Sequence, residues 1–399
     1  MRSRSLVLNS RHFFVFILVS YAVVVSLFLG ADTRNYLVLF AAMTGGVLFL
    51  RLGLTLHLQA FLAFALFSIM TVLSLFQDGA GQLLSVGLTF LYAVGYFAIA
   101  SLLDRVKDKR AFLMKVMRGI IYAFAMLCIV QMVTSLAGLP VPNQIGGSSL
   151  WRHNSLAYEP SQLGRIVGIS MLCYLMLSRL PGEPERARTY QKLWVAFLTA
   201  MLLSGSALAV VAILLVYGLS RSLPWLLLIV MVCVLIWPTV LLIDFEPLQR
   251  SVVLISSLRS LDVDQVLGAD HSGGVRVAPL LIYLRDVSMA EPGFWLGYGF
   301  EGIEHFFQGK IAGVRDDNYG AGFLPGFAVV YGVLAFGFFA WIFALRQLNQ
   351  ITLPLIAFWA ILMTSSAINT QVFWYGLIVI QIAWAASRDV VRSSASVKP

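Results

Sequence analysis

Charge is scarce in this sequence. Lys, Arg, Asp and Glu make up 12% of 399 residues, against about 25% in soluble domains, which excludes an ordinary water-exposed fold. Cysteine is scarcer still. Cys128, Cys173 and Cys233 all fall inside apolar stretches, so they read as small buried hydrophobes, and neither a disulfide nor a metal cluster is expected. No internal repeat divides the chain into two similar halves around matched Gly or Pro breaks, which counts against an inverted-repeat transporter. No small-residue cleavage site follows the basic MRSRSLVLNSR, so the apolar stretch behind it is expected to be a retained first span.

What is present is apolar length. Stretches approaching the ~20 residues needed to cross a ~30 Å hydrocarbon layer lie near 12–30, 35–50, 53–76, 82–103, 112–137, 162–180, 190–204, 206–220, 224–243, 322–345, 352–370 and 372–387. They predict an all-α polytopic membrane protein of about twelve transmembrane helices, with both termini on one side. Residues 1–243 would hold nine helices and an outer loop at about 138–161. Residues 244–321 would form one long polar loop, and 322–399 the last three helices and a tail. The two short stretches flanking Ser204-Gly205-Ser206 suggest a hairpin whose polar tip must line a cavity or be buried in protein.

Basic residues orient the chain, because short loops rich in Lys and Arg stay cytoplasmic. Arg2, Arg4, Arg11, Arg51, Arg105, Lys107, Lys109, Arg110, Arg186, Arg188, Lys192, Arg221, Arg346, Arg388, Arg392 and Lys398 all fall on the side of the termini. The long loop carries six basic residues against eleven acidic ones, a net of −5 that leaves +14 for the remainder of a chain of net +9. The excess of positive charge therefore reflects topology, and no nucleic-acid partner is expected. Both ends are expected in the cytoplasm and the long loop outside.

Two outer segments carry chemistry. The first reads LPVPNQIGGSSLWRHNSLAYEPSQ from Leu139. It places Arg152, His153, Tyr158 and Glu159 just before the sixth span and Arg165 about one turn within it. An arginine within a span costs roughly 2.5–3.5 kcal/mol on insertion scales, so it faces either a polar cavity or an anion. Arg165 either pairs with Glu159 or snorkels to the interface, or else it offers a fixed charge and a fork of donors to a phosphate or pyrophosphate. Glu159 is a candidate general base, its alternative role being to cap the helix that starts at Pro160. His153 is a second candidate base or a hydrogen-bonding surface residue of the loop.

The second segment is the long loop. Arg276 opens an amphipathic run, and Arg285, nine residues on, projects from the opposite side of a continuous helix, so the two are not expected to bind the same group. Arg276 is favoured because flanking glycines let the backbone approach a ligand. Trp295 and Tyr298, between Gly293, Gly297 and Gly299, suit either sugar stacking or an interfacial aromatic belt. Asp317, Asn318 and Tyr319 close the loop. Adjacent Asp316 and Asp317 point apart, so Asp317 is assigned to orienting Asn318 or a substrate hydroxyl, and no metal is expected.

The order of Arg276, then Pro292-Gly293-Phe294-Trp295-Leu296-Gly297-Tyr298-Gly299, then Asp317-Asn318-Tyr319-Gly320, with Tyr331-Gly332 beyond, resembles the O-antigen polymerase and O-antigen ligase superfamily. So do the dozen spans and the polar tip at Leu203-Ser204-Gly205-Ser206. The resemblance implies a metal-independent membrane glycosyltransferase of the GT-C type, without a cofactor, in the bacterial inner membrane. Its donor and acceptor would be polyprenyl-pyrophosphate-linked oligosaccharides at the periplasmic face. A chain-length regulator and a flippase of the same pathway are the partners such an enzyme implies, besides membrane lipids. Arginines of the family contact the pyrophosphate. Two departures stand out: the late loop histidine of ligases is Asp317 here, and the arginine that usually follows the tip is Ala207. The first argues for a polymerase over a ligase. The second makes Arg165 the substitute anion donor, with Glu159, Arg165 and Arg276 as the catalytic set. Arg152, His153, Tyr158, Arg285, Trp295, Tyr298, Asp317, Asn318 and Tyr319 are assigned to substrate. A transporter or flippase of an anionic lipid-linked substrate is the rival of a different class; it requires charges along a path to the cytoplasmic side.

Overall fold

The computed structural model describes residues 2–23, 36–51, 58–77, 80–143, 152–182, 186–221, 253, 256–257, 262–269, 271–307, 309–311 and 322–395. Among them every regular element is helical. The helices are α1 (Arg2–Ala22), α2 (Tyr36–Arg51), α3 (Leu58–Gln77), α4 (Ala80–Leu103), α5 (Lys109–Leu136), α6 (Pro160–Ser178), α7 (Ala187–Leu203) and α8 (Ala207–Leu219). After a stretch outside the described residues come α9 (Val263–Ala269), α10 (His271–Asp286), α11 (Pro292–Leu296) and α12 (Glu301–Phe307). The series ends with α13 (Gly326–Phe343), α14 (Leu353–Phe358), prolonged by a π turn over Trp359–Met363, and α15 (Gln371–Ala395). Segments Ser85–Leu103, Lys109–Leu136, Pro160–Ser178 and Gly326–Gln347 are each long and apolar enough to cross a membrane, so the chain is a helical membrane protein. The span expected at 224–243, with Cys233, lies outside the described residues, while Cys128 and Cys173 are buried free thiols.

The centre of the bundle is α6, which is buried along nearly its whole length by α5, α7, α8, α14 and α15. Small residues let it come that close. A Cβ on Gly164 would stand 3.0 Å from the Cα of Ala209, and one on Gly168 3.3 Å from the Cβ of Ala212, so α6 and α8 meet along paired small residues one turn apart. By contrast α5 exposes Met126, Ile129, Val133 and Leu136, the apolar outer face that lipid contact needs.

Basic groups gather at one end. Arg11 donates to the Lys107 carbonyl, Lys109 reaches Asp389 at 2.9 Å, Arg110 donates to the Leu177 carbonyl that ends α6, and Arg179 donates to the Arg221 carbonyl. Arg221, Arg346 and Arg388 lie over Tyr217, Trp341 and Trp384, pairs that add ring attraction to charge.

The opposite end departs from regular helix in two places. A continuous span was expected at 352–370, but helical geometry stops after Met363 and resumes at Gln371. The cause is local: in Thr364-Ser365-Ser366-Ala367-Ile368-Asn369-Thr370 the hydroxyls of Thr364, Ser365 and Thr370 bond to the carbonyls of Ala360, Leu362 and Ala367, competing with the backbone ladder. The freed carbonyls of Thr364 and Ser366 accept from the amides of Phe323 and Leu324, which keeps the broken backbone satisfied away from water. The second break is in α13, where Gly332 (φ 82°, ψ 163°) leaves the helix.

The expected span at 322–345 likewise starts later, at Gly326. The tip Ser204-Gly205-Ser206 does join α7 to α8, with Ser204 fully buried and the Leu203 carbonyl accepting from the His153 amide at 3.0 Å.

Candidate functional site

Glu159 sits at the N-cap of α6 with extended backbone, and its side chain makes no capping bond. Of the two roles open to it, capping is therefore not the one adopted. Its Oε2 instead accepts from Arg276 Nη2 at 2.8 Å and from Ser161 Oγ at 2.9 Å, and Arg276 Nη2 also reaches Ser161 Oγ at 3.1 Å. Pro160 at the first helical position turns the chain into α6, and this stiff entry fixes Glu159 and Ser161 on either side of it. Arg276, in the second turn of α10, arrives from 117 residues further along the chain.

Arg165 lies little more than one turn deeper, only 3% exposed. It does not pair with Glu159. Its two Nη atoms donate to the hydroxyls of Ser366 and, at 2.9 Å, Ser365, both in the break between the π turn and α15. Its Nε is buried without a hydrogen-bond partner among the described residues. Arg165 nonetheless lies within electrostatic reach of both Arg276 and Glu159. Among the described residues, two guanidiniums facing one carboxylate sum to a net charge of about +1, held partly by neutral hydroxyls.

The remaining predicted residues fall elsewhere. His153 is fully buried under the α7–α8 tip, which removes it from the surface role open to it. Arg152 is exposed and Tyr158 half-buried. The loop between them is held from inside: Asn154 donates to the carbonyls of Asn143 and Ala157, while Gln131 on α5 donates to Asn154 and accepts from the Ser155 amide. These polar contacts tie residues 153–158 to α5 and so aim Glu159. Arg285 is exposed and bonded to its neighbour Asp286 at 2.7 Å, apart from the Glu159 cluster. Trp295 is half-exposed and donates to the Met289 carbonyl. Tyr298 donates to Glu291 at 2.8 Å, and burial followed by that carboxylate raises its phenol to about 12. Asp317, Asn318 and Tyr319 lie outside the described residues. Among the described residues, no three His, Cys, Asp or Glu side chains converge as metal ligands.

The long loop rests on α13 through its glycines. The amides of Tyr298 and Gly299 donate to the carbonyls of Val329 and Val330, which the break at Gly332 frees from the helix. Phe306, Phe307 and Ile282 pack with Ala328 and Val329 in the same contact.

Asp286 adds an ionic staple, bonding Arg285 on its own helix and Lys310 beyond α12 at 2.9 Å. Arg285 first, then Lys310, holds its carboxyl at about 2. Because that value is depressed in the folded state, the contribution is complete above about pH 4 and lost as the pH falls toward 2. With partners this exposed it is worth less than about 1 kcal/mol. In thermal melts, Asp286→Asn is expected to fall slightly below wild type at pH 5 and to coincide with it near pH 2. A gap that is unchanged across this range would show that the staple does not act through ionised Asp286.

Ser161, Ser365 and Ser366 escape a reading of charges alone, although the unbroken run TSSAINT within an otherwise apolar stretch marks the break that carries two of them. The chain matches no family model, no curated protein and no solved structure.

Proposed function

We propose that the chain is a polysaccharide polymerase of the O-antigen polymerase kind. It would be a GT-C-type glycosyltransferase with about twelve spans in a bacterial inner membrane, both termini cytoplasmic and the site periplasmic. It moves a growing glycan from polyprenyl pyrophosphate to the non-reducing end of a new lipid-linked repeat unit. The observation that carries this reading is Arg165, a buried guanidinium that among the described residues has no carboxylate bonded to it and one donor unused. Such a group is costly unless it serves an anion.

The chemistry asks little more. Pyrophosphate is a good leaving group, so the enzyme must mainly neutralise it and orient a sugar hydroxyl behind the anomeric carbon. In the proposed step the acceptor hydroxyl gives its proton to the Glu159 carboxylate as its oxygen bonds the anomeric carbon. The bond from that carbon to the phosphate oxygen breaks, and the electron pair leaves on polyprenyl pyrophosphate, whose added charge Arg165 and Arg276 stabilise. Attack from the face opposite the leaving group inverts the anomeric centre, and the proton on Glu159 passes to water.

The test is to incubate purified protein with a polyprenyl-pyrophosphate-linked repeat unit and to follow released polyprenyl pyrophosphate and glycan length, with and without EDTA. Ladders that persist in EDTA are expected. Transfer to a different acceptor without ladders would favour the ligase, and a matching substrate left unconsumed would overturn the assignment.

A further inference from the structure

The bond between Glu159 and Arg276 closes the site against itself. A carboxylate whose Oε2 accepts from both Arg276 and Ser161 has the lone pairs of that oxygen engaged and not offered to an acceptor hydroxyl. The same bond occupies Arg276, which the proposed reaction needs for the leaving group. Among the described residues the guanidinium of Arg165 bonds only hydroxyls, so no carboxylate is bonded to it as a competitor.

We infer that Glu159 is a built-in stand-in for the substrate's pyrophosphate: the incoming anion displaces it from Arg276, and this exchange releases the carboxylate to act as base only once a donor is bound. The inference rests on the pyrophosphate reading above and adds an order of events to it. Arg276, the more accessible of the two guanidiniums, meets the anion first, with Arg165 buried behind it. The anion then draws Arg276 from Glu159, and the two guanidiniums, whose mutual repulsion the carboxylate offsets in the empty site, converge on a doubly anionic group. Both Glu159 and Arg276 are partly exposed, with side chains 44% and 23% accessible, so the exchange needs no opening of the core.

Displacement predicts opposite signs for binding and turnover in one variant. Removing the internal competitor's charge should tighten anion binding, by a factor comparable with a partly exposed ion pair, roughly fivefold. The experiment is calorimetric titration of the full-length, detergent-purified chain with inorganic pyrophosphate and with farnesyl pyrophosphate, for wild type, Glu159→Gln, Arg276→Gln and the double variant. Glu159→Gln is expected to bind both anions tighter than wild type while losing turnover. Arg276→Gln should bind weaker, and Glu159→Gln should add less tightening in its background than in wild type, because the bonded competition runs through that arginine. If wild type binds pyrophosphate through Arg276 but Glu159→Gln binds no tighter, the exchange is wrong and the pyrophosphate reading stands. If no form binds either anion, both fall together.

Discussion

Replacement of Arg165 by methionine is expected to abolish turnover while leaving the protein as heat-stable as wild type, or more so. The two halves of that expectation have separate causes. Arg165 is an interior cation bonded to two serine hydroxyls, so its burial costs solvation that no bonded carboxylate returns. Methionine fills similar length without that cost, and Ser365 keeps its bond to the Leu362 carbonyl. For catalysis the loss is direct. A fixed donor aimed at charge that develops on a leaving group is typically worth 10²–10³ in rate, about 2.7–4 kcal/mol. Arg165→Lys keeps the charge but not the fork of donors, and should recover only part of the rate. Turnover near wild type in Arg165→Met would remove the residue from the site. A fall in melting temperature accompanying the loss of turnover would instead mark it as structural.

How much of this was legible in the sequence depends on the range over which each feature is determined. Membrane helices are local: a run of apolar residues must satisfy its own backbone bonds in lipid, so composition alone places α4, α5 and α6. Arg165 and Glu159 were legible for a related reason, since charge at the edge of an apolar run is expensive wherever the rest of the chain goes. Which charges meet was not. Proximity in sequence offers Glu159 to Arg165 as one alternative, yet Glu159 bonds Arg276 and leaves Arg165 to the serines of the last break. A hydropathy average over 352–370 does not register the break, because serine and threonine are tolerated inside membrane helices; only the polar run Thr364 to Thr370 marks it. The Gln131, Asn143, Asn154 and Ser155 network was hidden too, because each residue alone reads as ordinary loop or helix polarity. Only the fold shows that they aim Glu159.

Alanine at Gly297 or Gly332 should be the most damaging substitution to the fold at this end of the bundle. Gly297 has φ +94° and Gly332 φ +82°, and side-chain-bearing residues held there pay about 1–3 kcal/mol in backbone strain. Space is also lacking on both sides of one contact. A Cβ on Gly297 would stand 2.2 Å from the Val330 carbonyl oxygen, and a Cβ on Gly332 2.2 Å from the Trp295 carbonyl oxygen. The colliding atoms are backbone, so no rotamer relieves them, and overpacking adds about 1–3 kcal/mol. The contact that is forced apart is the one in which Tyr298 and Gly299 bond the carbonyls of Val329 and Val330. Loss of that seat loosens α10 to α12 over the bundle and carries Arg276 away from Glu159. Each variant is therefore expected to lower the melting temperature by several degrees and to reduce turnover together with it, in contrast to Arg165→Met, where the two separate. Gly337, on the same helix as Gly332, has nothing within 4 Å of its Cβ position, so Gly337→Ala should be neutral or mildly stabilising through helix propensity. Melting curves of the three glycine variants decide the matter. If Gly297→Ala and Gly332→Ala melt with Gly337→Ala, the loop is not seated on the break in α13, and the position of Arg276 must be set by something other than the glycine clamp.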